Sequence, residues 1–188
     1  HFRIISSAAT RERDKFHIKK YLSNDVELKD ITDDLCVFGL FGPKSRDLIK
    51  TLSEDNFEND EFKFGTAKYI NIEGIKIWAQ RLSYVGELGY ELYVDFKDAK
   101  KIYELIINKG KDFNLSNCGM HAMDIMRMES GFLHWGHDIS PEENQFQAGL
   151  SFTISNKKDV DFIGKKSLEN IKKENQKSRF TMFTLKDS

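Results

Sequence analysis

Proline and cysteine are scarce in this chain, two of each among 188 residues. With so little proline and no low-complexity tract, no disordered linker is expected, and no internal repeat is evident. Cys36 lies in an apolar run and Cys118 in "LSNCGM", with no CxxC and no His/Cys spacing that would hold zinc. Free thiols in a reducing compartment and no metal site are therefore expected. A charge excess of either sign is also missing: Lys+Arg 29 against Asp+Glu 30 leaves a formal net charge of -1. That balance argues against nucleic acid and membrane surfaces as partners. No apolar run approaches bilayer length and no secretory signal opens the chain, so a soluble, cytoplasmic-type protein is expected. G-x-G-x-x-G, P-loop and G-x-S-x-G motifs are all absent, and neither cysteine has a base nearby.

What is present reads as an α+β chain. The opening "HFRIISSAATRERDKF" has no initiator methionine and starts in a strand-like run at residues 2–6, so a piece of a longer chain is expected. Ser7 is then a candidate N-cap for a helix with Phe16 and Tyr21 at helical spacing. "LCVFGLFG" is an apolar run of strand length, and Pro43 suits the first turn of the helix that follows. Residues 66–94 hold three strand-like runs, with turns at Glu73-Gly74 and within 85–89. Ala99, Ile102, Leu105 and Ile106 repeat at helical spacing. The order strand, helix, three strands, helix predicts an antiparallel sheet with helices on one side, close to ferredoxin-like. A helix is expected from about Met120 to Glu129, ending at Gly131, and strands at 148–155 and 179–185. The domain boundary falls near Pro141 to Ala148, giving regions 1–145 and 146–188, the second the start of a β-rich domain.

Glu91 breaks the strand "GYELYV". Alternation puts Gly89, Glu91 and Tyr93 on one face and Tyr90, Leu92 and Val94 on the other. The bland account, favoured by about two to one because glutamates are usually exposed, is a solvated edge residue or one paired with Arg81. The sharper account is a carboxylate accepting two parallel N–H bonds from a flat heterocycle, approached through the space that Gly89 leaves. Tyr84 and Glu87 precede it in a turn. Arg127 follows Asp124 by three residues, which reads as a helical ion pair; the methionines around it read as core filler. "FLHWGHD" clusters His134, Trp135, His137 and Asp138, without further ligands at metal spacing. Trp78 is expected on a core strand.

"YVGELGYELYV" resembles the Y-x-G-E-x-G-[YFW]-E segment of the folate-binding aminomethyltransferases, the glycine cleavage T-protein and its relatives. "AMDIMRMESGFLHWGHDISPEENQFQAGLSFTI" is similar to the same family's R-[LM]-E-x-G and [WY]-G-x-[DE] segments. The wording "HWGHDISPEEN" is nearer to the folate-binding half of dimethylglycine and sarcosine dehydrogenases, and "DFIGKKSL" resembles the F-I-G-[KR]-x-x-L run of both. The resemblance covers essentially the whole chain. It implies tetrahydrofolate as cofactor, with Glu91 gripping the pterin edge and Tyr84 lying against it; Glu87, Arg127 and Trp135 match further positions near the cofactor. It also implies an N-methylated amino acid or aminomethyl group as donor, and 5,10-methylene-tetrahydrofolate as product. FAD would belong to a flavin oxidoreductase domain preceding residue 1. In a eukaryote the mitochondrial matrix would be the compartment.

Several positions depart from the family. An arginine that contacts folate in T-protein is Met123 here, and an asparagine after the first strand is Ser7. The catalytic aspartate of the family lies upstream of residue 1, so no catalytic residue is expected within the chain, and these 188 residues alone are expected to be inactive. Glycine cleavage T-protein proper is the alternative, as is a non-catalytic folate-binding or interaction module. The K-G-C-Y-x-G-Q-E signature of relatives that assist iron–sulfur enzymes is absent.

Overall fold

The computed structural model describes residues 1–155, 160–173 and 176–186. Where apolar runs find ladder partners, they form strands: β1 (Leu35–Phe41), β2 (Ala67–Ile72), β3 (Ile75–Gln80) and β4 (Gly89–Asp95). These make one sheet in the order β1-β4-β3-β2, each neighbouring pair antiparallel. The class is the α+β arrangement that the run order predicts. The β2–β3 hairpin turns on Glu73 and Gly74 at φ 51° and 81°, a pair of positive φ values that matches the twist of the flanking strands. Asn71 Oδ1 accepts the Gly74 amide at 2.8 Å and closes that turn.

One sheet face builds the core. Leu40, Ile70, Ile72, Ile77, Tyr90, Leu92 and Val94 are buried on it, covered by Leu48 and Ile49 of α2 (Ser45–Lys50) and by Ile102 and Ile106 of α3 (Ala99–Gly110). The rings of Phe57 and Phe62 pack on Tyr90 at 5.7 and 5.6 Å. Burying each such side chain contributes roughly 1.5–3 kcal/mol. α2 begins at Ser45 with Lys44 as its N-cap, so Pro43 precedes the helix and does not form its first turn. Gly42 at φ 124° bonds its amide to the Leu88 carbonyl at 2.8 Å and delays the start.

The helices are not confined to one side, which differs from the sequence expectation. α1 (Arg11–Tyr21), with segments 3–8 and 28–32, lies over the other face, where Val37 and Tyr93 help to line a cavity of about 330 Å³. Arg11 fastens α1 to the following loop through Asp30 at 2.9 Å and Asp33 at 3.0 and 2.9 Å. Residues 2–6 are not a strand, because no ladder partner lies beside them among the described residues. Ser7 precedes a short 3-10 turn, Ala8–Thr10, and its side chain makes no capping bond.

These elements form one compact unit, residues 1–83 and 87–116; a second comprises Tyr84–Gly86 and residues 117–188. In the second, α4 (Met120–Glu129) stops where Gly131 turns to φ 72° and bonds back to the Met128 carbonyl at 2.9 Å. Segments 148–155 and 179–185 are not strands. Ser151–Thr153 is a 3-10 turn, and the Phe180 N–H bonds to the carbonyl of Gln147, the residue before the first stretch, at 2.8 Å. α5 (Lys165–Lys173) lies between them in sequence. Among the described residues no helix is long and apolar enough to cross a membrane.

Candidate functional site

Glu91 projects from the sheet face opposite the core, half-buried, with Gly39 of β1 and Gln80 of β3 directly across from it. Its partner is Tyr93, two residues along the same face, whose hydroxyl donates to Glu91 Oε2 at 2.6 Å. Arg81, the partner considered from sequence, donates instead to the Phe62 carbonyl at 2.6 Å and to Asn59 Oδ1 at 2.8 Å. Burial pushes the Tyr93 phenol well above its usual range, and the bond to Glu91 pushes it further, so the hydroxyl stays a donor. Trp78 faces Tyr93 across the ladder with ring centroids 4.7 Å apart, and the Arg3 guanidinium lies 4.4 Å over the indole. Trp78 is thus on a strand of the core sheet, as expected, with its ring on the face that carries Glu91.

The space that Gly89 leaves is filled from within. A Cβ at Gly89 would meet the Phe41 ring at 2.4 Å, and one at Gly39 would meet the same ring at 2.6 Å, so Phe41 lies across both glycines. Gln80 tells a different story. Its Oε1 is shut from solvent and has no hydrogen-bond partner, an arrangement that costs about 1–3 kcal/mol until a donor reaches it. In-register antiparallel neighbours hold their Cβ atoms about 4.5–5.5 Å apart. An uncompensated acceptor thus stands beside a carboxylate with one oxygen already oriented, and chemically the pair asks for a ligand rich in adjacent N–H groups.

The second unit carries Tyr84, Arg127 and Trp135, whereas Glu87 is exposed in the first. Arg127 is only 4% exposed. Its Nε and Nη2 reach Asp124 Oδ1 at 2.7 and 2.6 Å, and its Nη1 reaches the Phe132 carbonyl at 3.1 Å and also Asp138. Asp138 accepts the His134 amide at 2.8 Å as well. Burial pushes the Asp138 carboxyl up, but that amide and Arg127 outweigh it and hold it below the usual range; Arg127 does the same to Asp124. Gly136 N–H to Ile139 O at 2.8 Å closes the loop that presents Trp135, which is 45% exposed. The His134 and His137 rings meet at 4.2 Å, tilted by 36°, with His134 Nδ1 3.8 Å from Asp124. Among the described residues no group of histidine, cysteine or acidic side chains could hold a metal ion. Tyr84 stacks on Phe132 at 6.2 Å and 14° and donates to the Leu133 carbonyl at 3.0 Å.

Gln80, Tyr93 and Phe132 are functional-site neighbours that the sequence reading does not include as site residues, and Asp138 enters it only within the "FLHWGHD" cluster. Tyr93 was findable, because it lies two residues from Glu91 on the same face. Gln80 was not, because its meaning depends on the β3–β4 register.

This fold is that of the aminomethyltransferases: the chain is similar to the glycine cleavage system aminomethyltransferase T from Bartonella henselae, with a TM-score of 0.64 at 20% identity, covering 79% of this chain and 38% of that one. The chain belongs to the family described as the GCVT N-terminal domain, whose model matches residues 1–158. Over 161 residues it is 38% identical to human mitochondrial dimethylglycine dehydrogenase, which covers 86% of this chain and 19% of that enzyme. It is 32% identical over 164 residues to human mitochondrial sarcosine dehydrogenase (87% and 18%), and 30% identical over 188 to the aminomethyltransferase of Alkaliphilus metalliredigens (100% and 51%). The chain spans about a fifth of the length of the dehydrogenases it matches.

Proposed function

We propose that this chain is the tetrahydrofolate-binding part of a one-carbon transferase, passing a methylene or aminomethyl unit from a methylated amine or amino acid to the cofactor. The observation that carries this reading is the acceptor pair on the non-core face: the Glu91 carboxylate, aligned by Tyr93, beside the Gln80 oxygen that has no donor. A pterin edge offers neighbouring N–H donors, and two parallel N–H bonds suit a carboxylate, so the residues present fit the group. In the second unit, Tyr84 and Trp135 are the aromatic positions that the family resemblance assigns to the cofactor. Arg127 serves by holding the loop that carries Trp135, and Glu87 matters least. When bound, tetrahydrofolate supplies the nitrogen nucleophiles that take up the one-carbon unit. The chain's own residues hold the heterocycle in place and keep water away, which is where proximity and desolvation act.

An amine-dehydrogenase setting is favoured over T-protein proper by the higher identity to the dimethylglycine dehydrogenases, 38% against 30%. The donor is then an N-methylated glycine, and FAD resides in residues outside these 188. An N-methyl group oxidised without an acceptor for its carbon ends as formaldehyde. In the full-length protein oxidising dimethylglycine with an artificial electron acceptor, free formaldehyde should fall when tetrahydrofolate is added. Formaldehyde release that ignores tetrahydrofolate would sink the proposal.

A further inference from the structure

We infer that Ser130 and Phe132, at the C-terminal end of α4, are positioning residues that aim Tyr84 and leave it a ring face, not a hydroxyl proton, to offer a ligand. The inference rests on the reading that Tyr84 lies against the cofactor. Three residues, Tyr84–Gly86, belong to the second unit although their chain neighbours on both sides belong to the first. Such a short strap has no secondary structure of its own to hold it, so its side chains and carbonyls are fixed by what they touch.

Each residue of the strap is held. The Tyr84 hydroxyl is spent on the Leu133 carbonyl at 3.0 Å, and one ring face lies 14° from parallel to Phe132. Val85 is buried, and its carbonyl lies 3.4 Å from Ser130 Oγ, whose single proton goes to the Met126 carbonyl at 2.9 Å. Gly86, at φ 75°, rests directly on Ser130: a Cβ there would fall 2.0 Å from Ser130 Oγ and 2.8 Å from its Cβ. Glycine at this place in Y-x-G-E is therefore required twice, by the left-handed backbone and by contact with α4. A phenol whose proton and one face are engaged has no donor left to offer, so through its second face it favours a flat apolar or π surface over a hydrogen-bond acceptor.

The probe is 5-formyltetrahydrofolate, titrated calorimetrically into the full-length protein, with unliganded melting temperatures measured in parallel. Tyr84→Leu should weaken binding about tenfold, while Tyr84→Phe, which keeps the ring, should lose no more than about threefold. Gly86→Ala should weaken binding about tenfold, and adding Ser130→Gly, which makes room, should recover about threefold of it. Phe132→Leu should lower affinity about threefold with the melting temperature nearly unchanged, a split that a merely structural role would not produce. Tyr84→Phe losing as much as Tyr84→Leu would overturn the inference, as would a Gly86→Ala defect that Ser130→Gly leaves untouched. Should Gly86→Ala not fold, Tyr84→Phe and Phe132→Leu decide by themselves. If Glu91→Gln weakens binding while Gly86→Ala and Phe132→Leu do not, the inference fails alone; if neither Glu91→Gln nor Tyr84→Leu matters, the folate reading fails with it.

Discussion

Glu91 sits in a strand whose other residues are mostly buried, and the Tyr93 hydroxyl is what makes a charge tolerable there. A hydrogen bond to a charged group contributes about 1.5–3 kcal/mol, and here it orients one carboxylate oxygen while leaving the other to a ligand. Alternation alone showed which face Glu91 takes. It could not show that the Phe41 ring fills the gap at Gly89, or that Arg81 is drawn to Phe62 and Asn59, because both depend on side chains from distant segments. Trp78 belongs to this residue-level account, since it faces Tyr93 and shares the face of Gln80 and Glu91. In a Trp135→Phe background, the remaining indole should lose fluorescence when a reduced folate is added. An unchanged emission spectrum would place the ligand away from this face.

At the scale of elements, α4 and the loop after it are held by an arginine between two carboxylates. Asp138 reaches Arg127 from eleven residues away, and the Arg127 side chain is 5% exposed against 23% for Asp138. The folded carboxyl of Asp138 lies below its ordinary value, so its contribution to stability is present above about pH 4, the unfolded value, and is lost as pH falls through the folded one. Without the Asp138 charge, Arg127 keeps Asp124 and the Phe132 carbonyl, so the loss is that of one hydrogen bond to a charged group, roughly 1.5–3 kcal/mol. Asp138→Asn should therefore destabilise the second unit by about that much at pH 7, and the gap from wild type should narrow towards pH 2. Urea unfolding at both pH values checks this; a gap independent of pH would contradict it.

The same scale shows how far pattern reading reaches. The hairpin at Glu73-Gly74, α3 with its Ala99, Ile102 and Ile106 stripe, and α4 with its Gly131 stop were legible because each is fixed by local spacing and punctuation. Residues 2–6, 148–155 and 179–185 have strand composition, but a strand exists only with a ladder partner, and their sequences carry no information about one. The Arg127–Asp124 pair was legible at helical spacing, and the bond to Asp138 was not. Of the residues in the "YVGELGYELYV" segment, the sequence named the positions, while the geometry added what each touches: Tyr93 for Glu91, Leu133 and Phe132 for Tyr84.

At the scale of the whole molecule, the chain is one segment of a larger design in its relatives, about a fifth of the dehydrogenases and half of the aminomethyltransferase from Alkaliphilus metalliredigens. Membership of the GCVT N-terminal domain family brings the fold, and the proposed function puts the cofactor at the acceptor pair on the sheet. The central claim is that Glu91 recognises the heterocycle. Glu91→Gln preserves shape but puts an amide where a second acceptor oxygen was, so calorimetric titration of a reduced folate into the full-length protein should show affinity lost by roughly 1.5–3 kcal/mol, about 10- to 150-fold. A dissociation constant equal to that of the wild type would contradict the account and return Glu91 to a purely internal bond with Tyr93.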